Sequence, residues 1–447
     1  MAYASGSNLP FESASKLGHI NVIESEWVKS LVKEFESMVY DITDSEKCGW
    51  EKAELEGVQK LKHFWAVDGS YVTVASDTKP CKEVSFVKTA LMSIDRLKLD
   101  EIDKDQPHPL LLQDIMKKSA VQHATVFPLR NIKNTKGSNY DTVRHIVRDS
   151  MKIDQNGVFY ETLKWLVYEK WSNNYTVSPD FQCPHCSREI IGFEANSDEK
   201  RCEFCDGLVF LTDMIGFHLD MEEDSAPESV SSAYMLIMEH LMLFTIIRLM
   251  WEYEDQRLVT ETLFIKDGPL TLRSQYSKLV PKIRSFLEYA KKKKRTIHII
   301  GQEKSGVFFD HLSKLSKELK PNERGETMHY SVLTHEYIRK EVYRKTDLVN
   351  PYGKRTNWGE KIYVKADPNS YFVLNIPTGD YINEKDSPRK EELVGLDRIL
   401  ATIPEMVSHR YTGALFPIEL ANGIASMSSY PSSRILQRFL EEGSRNL

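Results

Sequence analysis

Phe64-Trp65-Ala66-Val67-Asp68-Gly69-Ser70-Tyr71-Val72-Thr73-Val74 decides how this chain is read. It is an apolar, β-branched strand that reaches an acidic residue and a glycine and then resumes. An ionised carboxylate in an apolar strand carries a large desolvation cost unless it has a partner. A divalent cation is one such partner. A second run of this kind is Leu263-Phe264-Ile265-Lys266-Asp267-Gly268-Pro269-Leu270, again a short apolar strand ending in Asp-Gly. Either pair taken alone reads as an ordinary turn. Two strands that each deliver an Asp at a glycine are what a shared cation site requires, which makes Asp68 and Asp267 its candidate ligands.

The composition frames that reading. A chain of 447 residues can bury a substantial core in two or three structural units. With 41% hydrophobic and 28% charged residues it has an ordinary globular balance. A net charge of -6 argues against nucleic-acid grip over the whole surface. The basic run Lys291-Lys292-Lys293-Lys294-Arg295 sits between a helical pattern and a strand, where it reads as a solvated helix end. Residues 1–10 lack the basic and apolar blocks of a signal peptide, and the most apolar run, Met235 to Trp251, is broken by Glu239, His240 and Arg248. The expectation is a cytoplasmic protein with no membrane segment. Cys48 and Cys81 stand alone, whereas Cys183, Cys186, Cys202 and Cys205 form a group that suits a metal in a reducing compartment.

Along the chain, apolar spacing predicts helices over 25–40, 51–62, 157–171, 229–252, 276–290, 307–319, 393–402 and 417–430. Strands are expected from Phe64, over 84–87, 125–129, 257–265 and 296–301, with a hairpin over 360–364 and 371–376. The order is an early β meander followed by alternation of strands and helices, a mixed α/β class without internal repeats. The helix over 229–252 is apolar nearly all round and is expected at the centre.

Cys183-Pro-His-Cys186 and Cys202-Glu-Phe-Cys205, separated by fifteen residues, have the spacing of a closed, tetrahedral four-cysteine zinc ribbon with no position left for substrate. Glu239 is the one carboxylate in the apolar body of the central helix, so it is either a third metal ligand or the partner of His240, Arg248 or a distant Lys. Asp213 and His218 are further polar candidates. Gly301-Gln-Glu-Lys304-Ser-Gly306 follows a strand and precedes a helix but lacks the Gly-Lys-Ser/Thr ending of a nucleotide-phosphate loop, leaving Lys304 to face a phosphate backbone or solvent. No nucleophile elbow or zincin helix is present, so serine hydrolase and zinc protease chemistry are not supported.

Three segments, in order, resemble the NurA nuclease domain over about residues 60–430. Ala66-Val67-Asp68-Gly69-Ser70 resembles its opening motif and Phe264-Ile265-Lys266-Asp267-Gly268-Pro269-Leu270 its second acidic motif. Phe416-Pro417-Ile418-Glu419-Leu420-Ala421-Asn422-Gly423-Ile424 is similar to its C-terminal Tyr-Pro-x-x-Leu-x-x-Ala-His segment. The resemblance implies an α/β, RNase H-like mixed sheet with flanking helices, to which the zinc ribbon is added as an insertion. It divides the chain into an N-terminal arm and helices for oligomer or partner contact (1–60), a nuclease core in two parts (61–177 and 213–447) and the ribbon (178–212).

It further implies a Mn2+- or Mg2+-dependent deoxyribonuclease that works at DNA ends as a homodimer with a HerA-type hexameric ATPase, in repair or in antiviral defence. Asp68, Glu239 and Asp267 would be its catalytic metal ligands, with Glu252 the alternative helix carboxylate, and Lys304 would contact DNA. The implied chemistry is metal-assisted attack of water on a phosphodiester. Two departures bear on activity: Phe416 stands where the family has Tyr, and Ile424 where it has His. Phe donates no hydrogen bond and Ile ligates no metal, leaving His409 or Glu419 as substitutes. Two other readings follow: a weakened relative that caps the motor or binds DNA ends without cleaving, and a zinc-ribbon nucleic-acid adaptor.

Overall fold

The computed structural model describes residues 22–36 and 48–445, apart from 78, 96–119, 133–136, 173–174, 196, 223–225, 319–327, 345–353, 368, 384–385, 409, 412 and 428–431. The chain divides into a unit over Met1–Ser45 and a body over Glu46–Leu447. The described part of the first unit is helix α1 (Glu26–Glu36), entered at Ser25, whose hydroxyl accepts from the Val28 N–H at 3.4 Å. The rest of the helix expected to reach residue 40 lies outside the described residues.

The body is built on a nine-stranded mixed sheet. Its first part is the expected meander: β2 (His63–Ala75), β3 (Glu83–Asp95) and β4 (Ala120–Arg130), paired antiparallel in that order. On its other side β2 runs parallel to β9 (Thr262–Asp267), and β9 runs parallel to β10 (His298–Glu303). The sheet then continues antiparallel through β13 (Tyr371–Ile376), β12 (Glu360–Lys365), β11 (His329–Val332) and β1 (Glu51–Lys52). The hairpin β12–β13 lies where its alternation placed it.

Side chains alternate across these strands, and the two faces bury separate cores. Val67, Phe264 and Ile299 face the first, covered by α2 (Asn139–Ile153), α3 (Val158–Val167), α4 (Glu228–Glu252) and α5 (Val280–Lys292). Ala66, Ile265 and Ile300 face the second, covered by α7 (Leu396–Thr402) and α8 (Phe416–Ala425). Helices α6 (Val307–Glu318) and α9 (Ser432–Arg445) follow β10 and α8 in the chain. Helix α4 is long and apolar enough to cross a membrane, but 78% of its apolar window is buried in the body, so it is a core helix.

Several expectations are corrected. Residues 51–62 are not a helix: Glu51 and Lys52 pair with β11, and Gly57 turns the chain at φ 75°, a conformation no helix continues through. Arg257–Thr260 is a single helical turn, and the strand begins only at Thr262. The helix expected from residue 276 starts at Val280, because Ser274–Leu279 is a 3-10 turn. Helix α2, strand β11 and helix α9 are not among the expected elements, although Val143, Ile146, Val147 and Met151 of α2 and Ile435, Leu436, Phe439 and Leu440 of α9 recur at helical spacing.

The cysteine group folds as two small hairpins, β5 (Phe181–Gln182) with β6 (Glu189–Ile190) and β7 (Glu199–Arg201) with β8 (Leu208–Phe210). The two turns match: the Ser187 N–H donates to the Cys183 carbonyl and the Asp206 N–H to that of Cys202, each at 2.9 Å, with both donors at φ 58°. The four Sγ atoms lie within 4.8 Å of one another and can hold a metal such as zinc. Phe181, Ile190, Phe193 and Val209 pack into the first core, so the ribbon is seated on the body.

Arg144 of α2 locks that seat. Its guanidinium meets Asp213 at 2.9 and 2.7 Å and donates to the Leu208 carbonyl, and Asp213 also accepts from the Phe210 N–H. Both side chains are 3% exposed. Arg144→Ala strands a buried carboxylate and should cost about 3–5 kcal/mol. Urea titration of the full chain checks this, and Asp213→Asn should recover part of the loss in the Arg144→Ala background.

Candidate functional site

The register of two strands sets the site. Val67 lies opposite Lys266 in the parallel pair β2–β9, so Asp68 and Asp267 are the next residues on adjacent strands, at the carboxyl end of β9. By alternation Asp68 and Asp267 share the face of the second core, and Gly69 and Lys266 share the face under α4. Glu239 comes down from α4 onto Gly69. A Cβ at residue 69 would lie 2.6 Å from Met235 Cγ and 2.9 Å from Glu239 Oε1, so glycine is what admits the helix carboxylate to the strand. The Gly69 N–H donates to Asp68 Oδ1 at 2.7 Å and also serves Glu239. One amide proton therefore lies between carboxylates that approach from opposite faces.

Asp68 is 3% exposed, and its Oδ2 has no hydrogen-bond partner. Burial, then the charges of Asp267 and Glu239, push its carboxyl up to about 8, against the pull of Lys304 and the Gly69 amide. Burial also raises Glu239, opposed by Lys266 and reinforced by Asp267. Two lysines answer the acids. Lys266 Nζ is 2.7 Å from Glu239 Oε2 and donates to the Asp267 carbonyl at 2.5 Å, with both side chains of the ion pair buried. Lys304, just past β10 and partly exposed, places its Nζ 3.0 Å from Asp267 Oδ1. Asp68 receives no cation of its own.

The structure thus brings Asp68, Glu239, Asp267 and Lys304 together. The three acids do not form a closed cage: among the described residues the one group of three or more ligating side chains with all donor atoms within 4.8 Å is the cysteine set. The orphaned buried oxygen of Asp68 nevertheless fits a hard cation, which takes carboxylate oxygen. Of the partners open to Glu239 in the sequence, the one found is a distant lysine. His240 instead uses Nδ1 toward the Leu236 carbonyl and Nε2 toward the Trp358 indole, and burial lowers its pKa to about 3. Arg248 reaches Glu252, in the last turn of α4, at 3.2 Å.

The remaining candidates scatter. Glu419 is taken by Ser408 and Arg410 at 2.8 and 2.9 Å, and His409 lies outside the described residues. Asp213 belongs to the ribbon seat, and His218 is buried beside a cavity of about 510 Å3 between α2 and the ribbon. A cavity of about 800 Å3 along α2, lined by His145, Asp149 and Asp154, contains none of the three acids. Phe416 and Ile424 are buried in the second core.

The end of α8 still closes on the site: Ser70 donates to the Ala425 carbonyl at 2.5 Å, and Lys88, its cross-strand neighbour, to the Ile424 carbonyl at 2.6 Å. Lys266, Ser70 and Lys88 escaped the sequence reading. Their only signal is a polar side chain inside or beside an apolar strand, and the strand register gives that signal its meaning.

No known family description matches this sequence, and no curated protein matches it. Among solved structures, one described as the crystal structure of NurA is similar over 96% of this chain and 97% of that one, at 13% identity and a TM-score of 0.29. A superposition that loose assigns neither the topology nor the site.

Proposed function

We propose that this chain is a divalent-cation-dependent nuclease that hydrolyses DNA phosphodiesters at ends, on an RNase H-like core. What supports the reading is Asp68, a buried carboxylate with one oxygen unpartnered and two further acids beside it. The segments carrying the family resemblance add to it: although far apart in sequence, they meet where β2 passes β9 and α8 ends on Ser70. Asp68 and Asp267 would hold Mn2+ or Mg2+, with Glu239 completing the acidic set. Such a cation, when bound, activates water and stabilises charge on a phosphodiester. Lys304 is partly exposed and can leave Asp267 for a substrate phosphate. The ribbon would hold a structural zinc. The protein would act as a homodimer with a HerA-type hexameric motor, which would supply the DNA grip that a net charge of -6 does not.

A second reading has its own support. Phe416 and Ile424 lie in the core, so the polar groups the resemblance calls for at those positions are missing. The chain would then bind DNA ends or cap the motor without cutting.

Incubation with linear DNA and Mn2+ or Mg2+, with and without the motor, separates the two. Asp68→Ala and Asp267→Ala should lower cleavage beyond the about 100-fold that loss of outer-shell partners already gives in metal sites. Cleavage that survives Asp68→Ala dismisses the site, and no cleavage under any condition favours the second reading.

The raised Asp68 pKa carries a sign. The folded, cation-free chain holds a proton that the unfolded chain releases, so stability falls as pH rises from 3.8 toward about 8. Thermal melts in chelator should show that loss, Mn2+ should reverse it at the upper end, and Asp68→Asn should flatten both effects.

Elemental analysis should find zinc in the purified chain. Cys202→Ser should lose it and lower the melting temperature, and Asp267→Ala should keep it.

A further inference from the structure

Lys266 sits among oxygen donors of the kind a hard cation selects. Its ammonium contacts a carboxylate oxygen of Glu239 at 2.7 Å and the backbone carbonyl of Asp267 at 2.5 Å, the two kinds of oxygen donor that hard cations select. The pair is deeply buried, with side chains 1% and 5% exposed, on the α4 side of β9. On the other face, Asp68 is nearly sealed from solvent, and its Oδ2 has no partner. The two sides of the site are unequal: one holds the buried, fixed charge of Lys266, and the other has only the partly exposed Lys304 on Asp267 and no partner for Asp68 Oδ2. With all three carboxylates ionised, Lys266 offsets Glu239 and Lys304 offsets Asp267, so the charge left uncompensated for an incoming cation is that of Asp68.

We infer that this site takes a single divalent cation, on Asp68 and Asp267, and that Lys266 is a built-in monovalent substitute for the second, with Glu239 committed to it. The inference rests on the proposed cation-dependent reading and narrows it: phosphodiester chemistry here would proceed with one metal ion and one lysine. Lys266 acts as a positioning residue, through Glu239 and the Asp267 backbone.

Mn2+ titration of the zinc-loaded full chain, followed by calorimetry and by the electron paramagnetic resonance of bound Mn2+, tests this without an activity assay. Wild type should bind one Mn2+ with an uncoupled six-line spectrum, and Asp68→Asn should weaken that binding by about 100-fold or more. Glu239→Gln should weaken it by no more than about 10- to 100-fold, the range of an outer-shell partner. Lys266→Met frees the Glu239 oxygens and should raise the stoichiometry to two, with a spectrum broadened by the neighbouring ion. Two Mn2+ ions on wild type would overturn the inference and leave the nuclease reading standing. So would loss of binding in Glu239→Gln equal to that in Asp68→Asn, an arm that holds even if Lys266→Met fails to fold. No Mn2+ on wild type, or binding indifferent to Asp68→Asn, would remove the cation-dependent reading itself, and the inference with it.

Discussion

A carboxylate sealed inside a sheet with one oxygen facing no donor is an unstable arrangement, and the centre of this protein is organised around one. Asp68 cannot turn to water, because β3, β9 and the end of α8 enclose its strand. Its nearest charged neighbours include two more acids, which raise the cost of ionisation further. The surrounding architecture supplies cations elsewhere, Lys266 to Glu239 and Lys304 to Asp267, and leaves this acid without one. The imbalance is local and geometric, and it gives the site its chemical character.

Glycine at position 69 makes the arrangement possible. A strand normally keeps its two faces apart, since each residue commits its side chain to one of them. At Gly69 the strand has no side chain on the α4 face, so Glu239 can reach the backbone and share the amide proton that Asp68 takes from the other face. An alanine there would meet Met235 and Glu239 closer than Cβ atoms come to other groups. The site is therefore assembled through the sheet as well as on it, and the second core could be repacked without touching the Glu239–Lys266 pair.

How much of this was written in the sequence differs from residue to residue. Asp68 and Asp267 stood out because each interrupts an apolar, β-branched run immediately before a glycine. Glu239 stood out as the lone acid in a helix that is apolar all round. Lys266 did not, because a lysine in a strand ordinarily turns its amine to solvent. Only the register of β2 against β9 places it under α4. The misread stretch over 51–62 fails for a related reason: Glu51 and Lys52 at its start pair with β11, some 280 positions later, and nothing local to Glu51 announces that partner. The convergence of the four cysteines was legible, since their spacing is a local geometric requirement met within two tight turns.

The parallel pairing of β2 with β9 joins residues nearly two hundred positions apart, with the ribbon and helices α2, α3 and α4 between them. During synthesis the β2–β3–β4 meander emerges first and must wait, with one long edge open, for its parallel neighbour. The ribbon and the α2–α3 pair form from nearby contacts and can be complete by then. A nascent chain of this design holds its acidic centre half-assembled until β9 is delivered, and the end of α8, which rests on Ser70, is delivered later still.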